Sequence, residues 1–247
     1  MQSSTVLTST AVPSISVQGT SSVMWSNTST ATASAATNTA SSCGDCCENT
    51  PLFTINFDDL PHFSIGSDPA ETDIPPIFNP YRKLYFQDHF GYVPPPSDPF
   101  PPHSPPQLAI YREAGLDFTG SPDSGLLLLG EIGSGPRASD SAYWIDANSV
   151  WFGCANGGPQ DCTIKINGFT NGTTSPTITQ TVTQPPCQGL KNCSLDLVEF
   201  SDDFHDLTGL QIIAKIGTET VDYYMDDLEL SWSNNTCAAQ QERSSSE

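Results

Sequence analysis

Basic side chains are scarce in this chain: eight lysines and arginines stand against 28 aspartates and glutamates in 247 residues, a formal net charge of -20. Such a field repels phosphate backbones and anionic headgroups, so neither nucleic acid nor a membrane surface is expected as a partner. Long apolar runs are missing too. The longest purely aliphatic stretch is residues 126–129, and a bilayer-spanning helix needs roughly 20 apolar residues, so no membrane span is expected. No segment shows a sustained 3.6-residue period with caps, which argues against a bundle or an α/β fold.

Catalytic signatures are also absent. There is no G-x-S-x-G elbow, H-E-x-x-H helix, Walker loop or EF-hand loop. "GSGPRA" at 133–138 mimics a dinucleotide fingerprint, but Pro136 and the β-type "AYWIDA" after it leave no helix N-terminus for a pyrophosphate. The four histidines, His62, His89, His103 and His205, have no ligand spacing, so a zinc or copper site is not expected. A glycosidase needs only two suitably separated carboxylates, and Glu113, Glu131 and Asp146 fall on or beside expected strands; solvated strand-edge acids are the plainer reading. Asp202, Asp203 and Asp206 in "FSDDFHD" read as a solvated turn more readily than as a cation loop.

What is present is β-type sequence. From Phe53 onward, turn residues separate short runs: "FTINFDDL", "KLYFQDHFGYV", "QLAIYREA", "LLLLGEI", "YWIDANSVWFGCA", "CTIKINGF", "PTITQTVTQ", "CSLDLVEF", "LTGLQIIAKI" and "VDYYMDDLELSW". Many short strands without helices predict an all-β protein, an antiparallel β-sandwich of the jelly-roll type. The proline-rich 92–107 cannot supply ladder donors and should be a polyproline-type connection, either a stiff surface loop or a lip displaying Phe100 and His103.

Half of residues 1–42 are Ser or Thr, too polar to offset the entropy of ordering. They read as a disordered, mucin-like stalk, followed by a domain over 43–237 and a disordered polar tail over 238–247. Eight cysteines and the sequons at Asn27, Asn171, Asn192 and Asn234 argue for an oxidising, secretory environment. "MQSSTVLTSTAVPS" shows no charged n-region or apolar h-region, so the chain reads as part of a longer precursor or as having a misassigned start. Strand phases predict a hairpin closed by Cys154–Cys162, and Cys187 and Cys193 bracket a short loop in the same way. Cys237 is left for Cys43, Cys46 or Cys47, a staple that would hold the two ends of the domain together.

Two "DDL" strands pose the sharpest question. Read with period two, Asp59 shares the face of Phe53, Ile55 and Phe57, and Asp226 that of Tyr224, Leu228 and Leu230. A carboxylate facing a core costs several kcal/mol unless a cation or several donors meet it. If the terminal strands are neighbours, a structural Ca2+ held by Asp59 and Asp226, with Asp58 and Asp227 as further candidates, would satisfy both. The alternative is that these acids mark strand ends or bulges and accept backbone N–H groups. Outward-phase Trp151 and Tyr223 are candidate glycan-stacking rings.

"INFDDLP", "GLQIIAKIG" and "YYMDDLELSW" followed by "NNTC" resemble a fungal family of secreted or cell-surface domains of unknown function on Ser/Thr-rich stalks. More distantly, the chain is similar to jelly-roll, galactose-binding-like modules of carbohydrate-binding proteins; that resemblance implies a terminal-strand acid, here Asp226, at a structural calcium. The combined expectation is a non-catalytic extracellular or cell-wall interaction module, with glycans as partners. A carbohydrate-active hydrolase or lyase on the same fold and a structural cell-wall protein are the alternatives.

Overall fold

The computed structural model describes residues 52–62, 74–93, 99–116 and 128–245. Residues 1–42, expected to form a stalk, the sequon at Asn27 and the cysteines 43, 46 and 47 lie outside these residues. Twelve strands pair antiparallel throughout: β1 Phe53–Ile55, β2 Tyr85–Phe86, β3 Phe90–Val93, β4 Leu108–Tyr111, β5 Glu131–Gly133, β6 Ile145–Cys154, β7 Cys162–Thr170, β8 Ile178–Gln184, β9 Asp196–Glu199, β10 Leu207–Ile216, β11 Glu219–Thr220 and β12 Tyr223–Trp232. The expected all-β antiparallel sandwich is therefore the fold. The one α-helix among the described residues, α1 Cys237–Ser245, corrects the expectation of a disordered tail. Its Arg243 is buried, donates to the carbonyls of Ala142 and Asn234, and lies 4.9 Å from the Trp232 ring centroid.

The sandwich forms because the ladder is continuous but narrows to a single bridge, Leu207↔Ile145, where β10 meets β6. On one side run β8, β7, β10, β5 and β2; on the other run β9, β6, β12, β4 and β3. The inward side chains of both layers meet in one core, with Ile164, Ile166, Leu210 and Ile212 against Val150, Phe152, Met225 and Leu228. Each is at most 1 % exposed, and burying such a side chain contributes about 1.5–3 kcal/mol. The open edge between β8 and β9 is closed by amides. Gln184 accepts from Cys154 N at 2.8 Å and donates to Phe152 O at 3.0 Å and Asp196 Oδ2 at 2.8 Å. Gln180 accepts from Ser201 N and donates to Glu199 O. Disulfides join Cys154 to Cys162 and Cys187 to Cys193, and Cys237 is also disulfide-bonded. The expected hairpin is corrected: β6 and β7 do not pair, and Cys154–Cys162 ties one layer to the other.

The terminal strands are neighbours: β12 pairs with β4 through Tyr223–Met225 and with β1 through Leu228–Leu230. Between these partners the register slips after Asp226, and Asp227 has φ +46°. That bulge inserts a residue and reverses the side-chain phase. Tyr223 and Met225 therefore face the core above it, and Leu228 and Leu230 below it. A strict period-two reading assigns Leu228 and Leu230 to the core correctly and misplaces Tyr224 and Asp226, which lie on the outer face of the layer.

Candidate functional site

The outer face of the β9–β6–β12–β4–β3 layer has two halves. The upper half is covered by the strap, residues 99–107. Phe100 is 2 % exposed and rests against Tyr224, 5.1 Å between ring centroids. A Cβ on Gly153 would lie 2.6 Å from the Phe100 ring, so glycine is what lets the ring seat flat on β6. His103 stacks on Trp151 at 3.7 Å with 10° between the planes, and its Nδ1 meets Asp227 Oδ2 at 2.7 Å. Only His103 of the two suggested lip residues is displayed; Phe100 is an anchor.

Under the strap lies the carboxylate that the sequence left unexplained. Asp226 is fully buried, and its two oxygens accept backbone N–H groups from Ser104 and Asp227, each at 2.9 Å. Burial, reinforced by the charges of Asp227 and Asp58, pushes its carboxyl up to about 7 against the lowering effect of those two donors. Asp58, held by Gln107 N at 3.1 Å and Asn56 Nδ2 at 2.9 Å, is also raised, chiefly by burial. Asp59 points elsewhere: it accepts from the Tyr81 hydroxyl and pairs with Arg82 at 2.7 Å. Asp59 and Asp226 thus have separate partners, and among the described residues no group of three His, Cys, Asp or Glu side chains is arranged to hold a metal ion. Asp226 itself has the geometry of the alternative, a bulge acid satisfied by backbone donors.

The lower half of the face is open. A cleft of about 560 Å³ is lined by Asp146 and Ser149 of β6, Glu199 of β9, His205 of the 200–206 loop, and Glu229 and Ser231 of β12, with Asn148 and Asp202 completing it. Strand alternation accounts for the β12 pair. Glu229 and Ser231 alternate with the core residues Leu228 and Leu230, so they must face outward. The loop is held from below by Phe200 and Phe204, both core residues, and from the side by Ala147 N to Phe204 O and Phe200 N to Asn148 O, each 2.8 Å. Asp146 Oδ1 accepts from Asp206 N at 2.9 Å and from the Ser233 hydroxyl, which fixes the loop's far end. No lysine or arginine lines the cleft among the described residues, and Asn148 Nδ2 is shielded from solvent without an acceptor there.

The candidate rings divide. Trp151 faces outward as expected, opposite Leu197 on β9 and one outward position from Ser149 on β6, but His103 occupies one of its faces. Tyr223 is corrected: it is fully buried in the core, stacked on Tyr111 and Phe152, with its hydroxyl donating to Ile212 O at 3.2 Å. The bulge is the cause, since it turns Tyr223 inward and Tyr224 outward. The three glycosidase candidates do not converge. Glu113 is in an exposed turn after β4, Glu131 is on the opposite layer, and only Asp146 is in the cleft. Asn171 and Asn192 are exposed, whereas the Asn234 side chain donates to the Ser141 hydroxyl and accepts from Thr236.

Residues 49–243 match the family model described as a domain of unknown function, DUF7371. The chain belongs to that family. No curated protein matches it. Among solved structures, this DUF7371 domain is similar to a DUF4465 family protein from Bacteroides caccae, with 8 % identity, a TM-score of 0.45, and coverage of 73 % of this chain and 99 % of that one. It is also similar to the C-terminal family 22 carbohydrate binding module of Clostridium thermocellum Xyn10B, with 12 % identity, a TM-score of 0.33, and coverage of 62 % and 88 %.

Proposed function

We propose that this DUF7371 domain is a non-catalytic extracellular interaction module that binds glycan in the open cleft of its outer face. The observation that carries this reading is the lining itself: carboxylates, serine hydroxyls, an amide and an imidazole converge on a cleft of about 560 Å³, within the roughly 300–1,000 Å³ of small-ligand sites. Sugar hydroxyls need many acceptors and a few donors, and this set offers both. The absence of a cationic side chain among the described lining residues disfavours phosphorylated, sulfated or uronate ligands. The carboxyls that burial displaces upward, Asp226, Asp58 and Glu131, all lie outside the cleft.

The disulfides support an oxidising compartment. On this reading residues 1–42 are a stalk carrying the domain away from a surface or wall, and Asn171 and Asn192 are the sequons best exposed for modification.

The test is a glycan-array screen of the full chain followed by titration calorimetry. Glu229→Gln combined with Ser149→Ala should weaken any array hit roughly tenfold or more, since each lost hydrogen bond to a ligand hydroxyl contributes about 0.5–1.5 kcal/mol. Glycan binding that the double substitution leaves intact would refute the assignment of this cleft.

A further inference from the structure

Beside the cleft, and sharing one wall with it, is a second concavity of about 560 Å³ lined by Thr170, Thr177, Thr179, Asp203, His205 and Asp206. His205 lines both. Building on the glycan-binding reading above, we propose that the two concavities form one groove that takes an internal stretch of an extended, uncharged polysaccharide chain rather than a sugar terminus.

Three observations carry this. First, the divider is an isolated ridge on a fixed loop. The His205 side chain is 63 % exposed, while its neighbour Phe204 is 1 % exposed in the core and Asp206 N is held by Asp146. The loop is anchored on both sides of His205, and its imidazole lines both concavities, within reach of a chain crossing from one to the other. Second, the chemistry is continuous. The second concavity presents threonine hydroxyls, carboxylates and the same imidazole, again with no lysine or arginine among the described lining residues. Third, the two walls come from opposite layers of the sandwich: β6, β9 and β12 on one side, and β7 and β8 on the other. The groove therefore passes from one layer to the other at the 200–206 loop. A net charge of -20 keeps polyanionic chains away, and the serine and threonine side chains beside the carboxylates match the hydroxyls of an uncharged polymer.

The experiment uses the full chain and cello-, xylo-, manno-, laminari- and N-acetylchito-oligosaccharides of graded length, from disaccharide to octasaccharide, in titration calorimetry. For whichever series binds, affinity should rise roughly tenfold or more between the disaccharide and the hexasaccharide, because added subsites contribute contacts without a second cost of association. Thr179→Ala with Asp203→Ala, both at exposed positions confined to the second concavity, should bring hexasaccharide affinity down to the disaccharide level. Disaccharide affinity should not change, and the melting temperature should fall only slightly, because Thr179 Oγ1 gives up one hydrogen bond to Asn167 Oδ1. A length-independent affinity, or a double variant that weakens disaccharide and hexasaccharide equally or neither, would overturn the extended groove. In that event the cleft reading survives if Glu229→Gln with Ser149→Ala still abolishes disaccharide binding. If no series binds and the cleft variant behaves as wild type on the array, both proposals fall.

Discussion

Asp226 should make the fold weaken as the pH rises through a range where most acidic proteins are stable. Its carboxyl is held protonated up to about 7, against 3.8 in an unfolded chain. Between those values the folded state keeps a proton that the unfolded state has released, so stability falls with increasing pH and levels off above about 7. The full difference corresponds to a ceiling of about 4 kcal/mol. Burial is the largest cause, and the groups facing Asp226 modify it. Asp227 and Asp58 raise the value by their charge, while the Ser104 and Asp227 N–H donors lower it; His103 meets the same cluster through Asp227. Asp58, raised for the same reason, adds to the slope in the same direction.

Asp226→Asn removes the titration. It also sets an amide N–H against one of the two backbone donors, which costs about 1–3 kcal/mol at every pH. The useful quantity is therefore the wild-type minus variant difference, measured by urea unfolding with tryptophan fluorescence from about pH 4 to about pH 8. That difference should swing in the variant's favour by up to about 4 kcal/mol across the range, and the wild-type curve should be the same with and without a calcium chelator. A difference that stays constant with pH would refute the reasoning about burial. A chelator-induced loss of stability would show that a cation, not the strap's donors, balances the acid.

Two further predictions concern the elements that frame the site. Gln184→Leu should cost about 3 kcal/mol in urea unfolding, because it strips partners from two buried backbone groups of β6 at about 1–3 kcal/mol each; a loss below 1 kcal/mol (on the order of a surface substitution) would show that the amide does not hold the sheet edge together. Gly153→Ala should destabilise by about 1–3 kcal/mol through overlap with Phe100 and Leu195. In a double-mutant cycle with Phe100→Ala most of that cost should vanish; strict additivity would mean that the ring is not what the new methyl meets.

The strands were legible because their signal is local. Every β-type run from "FTINFDDL" to "VDYYMDDLELSW" contains an observed strand, and only the two-residue β11 carries no pattern of its own. The Cys154–Cys162 bond was legible because both cysteines take the inward phase of consecutive strands, but the hairpin was not: β6 and β7 lie in opposite layers, so the bond crosses the sandwich. The site was legible only in part. "LELSW" announces that Glu229 and Ser231 face away from the core, but nothing local says that β6, β9 and the 200–206 loop stand beside them.

Composition and period-two alternation alone determined the all-β class, the acidity that turns away polyanions, and the short-range cysteine pairing, since each depends on residues close in the chain or on totals. Tertiary structure decided which way Tyr223 and Asp226 point, because a single bulge residue inverts the phase of a strand and leaves no mark in its alternation. It also decided that Asp59 belongs to Arg82 and Asp226 to the strap, and that the open half of one sheet face is where a ligand can lie. Those outcomes depend on which distant segments the folded chain brings against a given side chain, and that proximity is fixed by packing across the whole sandwich.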